Sequence, residues 1–168
     1  KSGLAKADKK SGRTAAEGRI GVKVSEDQKC AAMVDINCET DFVAKGDDFA
    51  QFVSEVAESL LSSDIETLDQ LSSMKLPSGK TVDETRRELI AKLGENINVR
   101  RFAKYASSEG GTGCYLHGNR IGVIVELSGS DDELSKDIAM HVAASNPVCI
   151  ADGDVPAELV EKEKAVFT

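Results

Sequence analysis

Cys30-Ala31-Ala32-Met33-Val34-Asp35-Ile36-Asn37-Cys38-Glu39-Thr40-Asp41-Phe42-Val43-Ala44-Lys45 changes character halfway along. Up to Asn37 it alternates. Ala32, Val34 and Ile36 fall on one face, and Ala31, Met33 and Asp35 on the other, the period-two pattern of a strand. Beyond the stretch, from Gly46-Asp47, the period becomes helical. Phe49, Phe52, Val53, Val56, Ala57, Leu60 and Leu61 form one stripe, and Asp47 and Asp48 sit at the end where free amides and the helix dipole favour carboxylates. A strand therefore feeds a helix through a polar corner that carries one phenylalanine, Phe42.

Upstream, residues 20–24 read as a strand joined to this one by the turn Ser25-Glu26-Asp27-Gln28. Downstream, a short helix is predicted over 65–71. Thr81-Val82-Asp83-Glu84 is a capping-box pattern, opening a helix with Val82, Leu89, Ile90 and Leu93 inward and Gly94 as its stop. Residues 98–105 read as a strand with Val99 and Ala103 on one face and Phe102 offset. After a loop over 107–113 a second hairpin is predicted, 114–117 and 120–127, turning at Gly118-Asn119. Ser130-Asp131-Asp132-Glu133 reads as another capping box, for a helix with Leu134, Ile138 and Val142 inward that ends near Asn146-Pro147.

Hairpin then helix thus occurs at 20–61 and again at 114–145, and Gly21-Val22-Lys23-Val24 resembles Gly122-Val123-Ile124-Val125. The expected fold is α+β, with two related subdomains, each an antiparallel sheet (a hairpin plus a further strand) packed with helices. Residues 1–18 read as a linker, 19–106 as the first subdomain, 107–155 as the second, incomplete, and 156–168 as the start of a C-terminal helix. The chain begins without Met and stops inside that helix, so it reads as a piece of a longer protein. The strand completing the second subdomain is expected beyond Thr168 or from a partner chain.

With 168 residues, 40% hydrophobic and 30% charged, the chain can bury a core. Aromatics are only 4%, so an aromatic at a corner stands out. A net charge of −8 argues against nucleic acid as the main ligand. The local basic segment Lys1, Lys6, Lys9, Lys10, Arg13 and Arg19 reads as a solvated terminus, with RNA contact as its functional alternative. No apolar run nears the ~18–20 residues that span a bilayer, and no signal peptide is present.

Catalytic signals are thin. Cys30, Cys38, Cys114 and Cys149 form no C-x-x-C pair, and the spacing fits neither zinc nor a disulfide framework, which leaves free thiols in a reducing compartment. Gly110-Gly111-Thr112-Gly113 lacks the following Lys and helix that a phosphate loop needs, and Gly79-Lys80-Thr81 lacks the upstream Gly. A cysteine nucleophile at Cys38 is the remaining enzymatic alternative and requires a lowered thiol pKa. A helical wheel puts His141 with Leu134 and Ile138, as a core histidine or as a contact at the helix end. Phe42 reads equally as a core plug or as an interface anchor.

Asn37-Cys38-Glu39-Thr40-Asp41-Phe42-Val43-Ala44-Lys45 resembles the signature of translation elongation factor Ts. Lys1-Ser2-Gly3-Leu4-Ala5-Lys6-Ala7-Asp8-Lys9-Lys10, Gly94-Glu95-Asn96-Ile97-Asn98-Val99-Arg100-Arg101, His117-Gly118-Asn119-Arg120-Ile121-Gly122-Val123 and Ile138-Ala139-Met140-His141-Val142-Ala143-Ala144-Ser145 agree with it, in order, over nearly the whole chain. The resemblance implies a cytoplasmic, bacterial-type guanine-nucleotide exchange factor that performs no covalent chemistry, takes no cofactor and does not itself bind nucleotide. Its implied partner is elongation factor Tu carrying GDP, whose magnesium and phosphate site it disturbs. The residues implied at the interface are Thr40, Asp41, Phe42 and Val43, with Phe42 as a wedge between helices of the GTPase domain. Ile121 and Gly122 match the companion contact, and His141 the family's second-repeat histidine. Against the family pattern, the small N-terminal helical domain and the C-terminal part are missing. Short members of the family complete the second half by forming a homodimer.

Overall fold

The computed structural model of the chain describes residues 9–129 and 131–166. Strands β1 (Glu17–Val24) and β2 (Cys30–Cys38) form an antiparallel hairpin, and β3 (Ile97–Ala106) pairs with the other edge of β2 to give the order β1-β2-β3. Between β2 and β3 lie α1 (Asp41–Lys45), α2 (Asp47–Leu61), α3 (Leu68–Ser73) and α4 (Val82–Leu93). Then β4 (Gly111–His117) and β5 (Ile121–Leu127) make a two-stranded antiparallel sheet. They are followed by α5 (Asp132–Ser145), a 3-10 turn at Asp152–Asp154 and α6 (Ala157–Val166). The architecture is α+β, with two small antiparallel sheets packed with helices.

The alternation in β2 sorts its residues as the sequence implies. Ala32, Val34, Ile36 and Cys38 are fully buried against the α2 stripe, in which Phe49, Val56 and Leu60 are also fully buried. Each of the Val, Ile, Leu and Phe side chains among them contributes roughly 1.5–3 kcal/mol by leaving water. Leu89 and Ile90 of α4 close the same core. The other face of the three-stranded sheet receives the second hairpin. A Cβ on Gly122 would lie 2.8 Å from Met33 Sδ and 2.9 Å from Ile20 Cγ2, so β5 touches the first sheet where it has no side chain. Helix α5 covers the far side of that hairpin.

Several elements differ from the sequence reading, each for a local reason. Strand β1 begins at Glu17, inside the segment expected to be linker, because Glu17 and Gly18 pair with Cys38 and Asn37. The short helix is Leu68–Ser73 rather than 65–71, since Thr67 and Gln70 form a capping box there. The alternation of β3 is broken by a bulge. Asp35 pairs with Arg101 and Ile36 with Val99, leaving Arg100 as the extra residue. Val99 and Phe102 therefore share the core face, and Ala103 does not join them. The cap of α5 is Asp131, whose Oδ1 accepts from Leu134 N at 2.9 Å; Ser130 lies outside the described residues. The final helix runs Ala157–Val166, and the expected end at 167–168 also lies outside them.

Helix α5 is turned from its expected orientation. Ser135 and Ala139 are buried, whereas Leu134 is 49% exposed. The cause is β4, which starts at Gly111 instead of Cys114 and presents glycine to the helix. A Cβ on Gly113 would meet Ser135 Cβ and Oγ at 2.5 Å, so only small residues fit at this crossing. Gly113→Ala is expected to destabilise the protein by ~1–3 kcal/mol, the range for overpacking. Urea unfolding checks this, and an unchanged midpoint would contradict the close approach.

Candidate protein-docking corner

The corner between β2 and α2 is a helix in its own right. Thr40 caps it in extended conformation (φ −123°, ψ 154°), its Oγ1 accepting from Val43 N at 3.3 Å. Five residues are too few to hold a helix alone. This one is held from behind, since Val43 and Ala44 are buried in the core while Phe42 stands 86% exposed on the outside. The core-plug reading of Phe42 is thereby excluded.

A reciprocal pair of carboxylates fixes the corner to the loop between α4 and β3. Glu95 Oε2 accepts from the amides of Glu39 (3.1 Å) and Thr40 (3.0 Å), and its Oε1 accepts from Thr40 Oγ1 at 2.6 Å. In return Glu39 Oε1 accepts from Asn96 N at 2.6 Å. Asn37 Nδ2 donates to the Glu17 carbonyl at 3.1 Å, tying β2 to the start of β1. Lys10 donates to the Gly94 carbonyl, Arg13 to Glu39, and Asn96 Nδ2 to the Arg13 carbonyl at 2.7 Å. Lys10 is therefore docked on the core and not the solvated charge its sequence suggested, whereas Arg13 reaches Glu39 and stays exposed; Lys1 and Lys6 lie outside the described residues.

The Asn96 amide, aided by Arg13 and opposed by burial, holds the Glu39 carboxyl below its ordinary value. A depressed carboxylate contributes stability above its unfolded pKa and loses it as pH falls through the folded one, so this tie weakens only in acid. Lys45 likewise lowers Asp41 through an exposed ion pair of 2.7 Å across one helical turn, a contact worth little in stability.

Cys38 is fully buried and its Sγ donates to the Thr40 carbonyl at 3.2 Å. Burial, and next the charge of Glu95, push its thiol up to about 11. It is therefore a neutral thiol at pH 7, and the nucleophile alternative fails. Iodoacetamide at pH 7.5 is expected to label Cys38 at least ~100-fold more slowly than a free cysteine, by the thiolate fraction. Peptide mapping checks this, and labelling of Cys38 at the rate of an open thiol would contradict it.

The structure brings the second expected contact towards the first. A cleft of about 310 Å³ lies between α1, at Asp41 and Lys45, and the β4–β5 turn, at Gly118, Asn119 and Arg120. Gly118 and Asn119 are left-handed (φ 54° and 62°), as the turn reading requires, and Ile20 N donates to the Asn119 carbonyl at 2.8 Å, anchoring the turn on β1. Ile121, which leaves this turn, is 46% exposed. Gly122, the next residue, lies against Met33 and Ile20. His141 is exposed on α5, on the same side as Leu134, and is not on the wall of this cleft. The core-histidine reading is thus corrected.

The glycine-rich 110–113 is no phosphate cradle. Gly110 N donates to Ser107 Oγ at 3.0 Å and Thr112 N to the Gln28 carbonyl at 2.7 Å, so these amides are already spent within the fold. Among the described residues there is no group of three or more His, Cys, Asp or Glu placed to hold a metal, and no helix long and apolar enough to cross a membrane. Sequence reasoning missed Glu39, Glu95 and Asn96 as supports of the corner. Only the position of Glu95-Asn96 just after the Gly94 helix stop hinted at them.

Residues 39–168 match the family model described as elongation factor TS. The chain is 61% identical over 168 residues to elongation factor Ts of Methylococcus capsulatus, all of the chain and 57% of the relative. It is 55% identical to that of Thioalkalivibrio sulfidiphilus, over 99% of the chain and 57% of the relative. The elongation factor Ts of Legionella pneumophila is 49% identical, over all of the chain and 57% of the relative. The chain thus spans somewhat over half the length of these relatives.

Proposed function

Since the chain belongs to the elongation factor Ts family, we propose that it acts in translation elongation as the core of a guanine-nucleotide exchange factor. It binds elongation factor Tu carrying GDP and promotes GDP release without covalent chemistry. The observation that carries this reading is Phe42, an aromatic left 86% exposed on a helix whose opposite side is buried. A monomer gains nothing from such a residue, while an interface gains an anchor with few rotatable bonds. Phe42, flanked by Thr40, Asp41 and Val43, enters between helices of the GTPase domain. Ile121 touches the partner beside the same cleft, with Gly122 next to it, and His141 makes a separate contact further along.

Exchange of this kind is a coupling between two sites on the partner. A wedge accommodated only in the open arrangement of the nucleotide site stabilises that arrangement and weakens GDP. By linkage, GDP must weaken the wedge by the same factor, typically 1–3 kcal/mol or about 5–150-fold. The test is release of fluorescently labelled GDP from elongation factor Tu with and without the protein. Accelerated release, together with displacement of the protein by excess GDP, is the expected result. Acceleration without displacement would break the linkage and overturn the mechanism.

A further inference from the structure

We propose that an arginine cleft beside the corner is a second docking element that receives an acidic segment of the same partner protein; this rests on the exchange-factor reading above. The cleft has a volume of about 210 Å³ and is lined by Arg19, Arg100, Arg101 and Arg120 against only two carboxylates, Glu17 and Asp35. A surplus of two positive charges is thus concentrated at one place on a chain whose net charge is −8.

The bulge in β3 creates this surplus. In a regular strand, adjacent side chains point to opposite faces, so Arg100 and Arg101 would diverge. With Arg100 as the extra residue, both reach Asp35 Oδ2, Arg101 Nε at 2.9 Å and Arg100 Nη1 at 3.9 Å. One arginine suffices to pair that carboxylate, whose side chain is only 13% exposed. Arg100 is 61% exposed and makes the long, weak contact, so its guanidinium is free to turn to a second anion. Bulges commonly re-aim a side chain beside a functional site, and this one, besides setting both Val99 and Phe102 on the core face, turns Arg100 and Arg101 to one carboxylate. On the opposite wall Arg120 pairs with Glu17 and keeps 64% of its side chain exposed.

Position and chemistry select the occupant. Glu17, Gly18, Arg19, Asn119 and Arg120 line both this cleft and the one beside Phe42, so a protein seated on Phe42 continues over the arginines. Carboxylate side chains match their forked donors. A nucleic acid would find no aromatic in the cleft on which a base could stack.

The test is stopped-flow association of the protein with elongation factor Tu carrying GDP, for the parent, Arg100→Glu, Arg100→Ala and Arg100→Lys. At ~50 mM salt Arg100→Glu is expected to associate ~3–10-fold more slowly and Arg100→Ala about half as far on a logarithmic scale, with Arg100→Lys near the parent. The differences are expected to vanish at ~0.5 M salt, where exposed charges are screened. Arg100 packs nowhere in the core, so the thermal midpoints stay together. Equal association rates for the four proteins overturn the cleft, as does a defect that persists in high salt. Arg100-dependent binding of a single-stranded RNA oligonucleotide that competes with the partner also overturns it. If Phe42→Ala is impaired while the Arg100 variants are not, the cleft falls and the wedge stands; a parent that does not bind the partner removes both.

Discussion

Phe42→Ala is expected to fold like the parent and to lose at least ~30-fold of the acceleration of GDP release at concentrations below saturation. Both halves follow from one number, the 86% exposure of Phe42. Truncating a side chain that touches little in the free protein changes its stability by no more than about 0.5 kcal/mol. At an interface the same truncation removes an aromatic anchor, for which ~2–4 kcal/mol is usual, and each 1.4 kcal/mol is tenfold. Urea unfolding and labelled-GDP release on the same preparation check the two halves. Phe42→Leu, which keeps apolar bulk without the flat ring, is expected to fall between. A variant that unfolds early would mean that Phe42 supports the monomer after all.

The second large effect is expected at a residue that touches no partner. Glu95→Ala removes the acceptor of the Glu39 and Thr40 amides and of Thr40 Oγ1. Hydrogen bonds to a charged group contribute ~1.5–3 kcal/mol each when fully counted, and water at this half-exposed site restores part, so a loss of ~1–3 kcal/mol is expected overall. The consequence for function is larger than that figure suggests. Without Glu95 the cap residue Thr40 is free to leave its extended conformation, and α1 is too short to persist unaided. Phe42 would then be presented by a mobile loop, and ordering it on the partner would consume binding energy. Hydrogen exchange of the Glu39 and Thr40 amides is expected to accelerate in Glu95→Ala, and GDP release to slow towards the Phe42→Ala value. Unchanged protection of those amides would contradict the role given to Glu95.

The elements that the sequence announced are those whose pattern is local. The period-two run of β2, the stripe of α2 and the Thr81 capping box each carry their own evidence within a few residues. What the sequence concealed depends on contacts between distant segments. Nothing near Glu39 indicates that it meets Asn96, and nothing near Arg100 indicates a bulge, because a bulge is a relation between two strands. Gly111 and Gly113 read as loop because glycine disfavours strands, yet both lie in β4 and the close passage of α5 requires Gly113. The same passage turned Leu134 outward and carried His141 with it. At the corner, the sequence marked Phe42 as unusual but left it divided between plug and anchor. Burial of Val43 and Ala44 on the other side of α1 decided its direction.

The corner and the arginine cleft have different kinetic signatures. As proposed, the cleft acts at a distance and in low salt, so its variants are expected to change the rate of encounter. The proposed wedge acts after contact, so its variants are expected to change what contact achieves. That separation makes saturation the decisive condition. With elongation factor Tu carrying labelled GDP and the Phe42→Ala variant raised until binding is complete, GDP release is predicted to stay far below the rate reached with saturating parent, because the bound variant lacks the group that opens the nucleotide site. Recovery of the full parental rate at saturation would contradict the account, since Phe42 would then be an affinity contact and not a wedge.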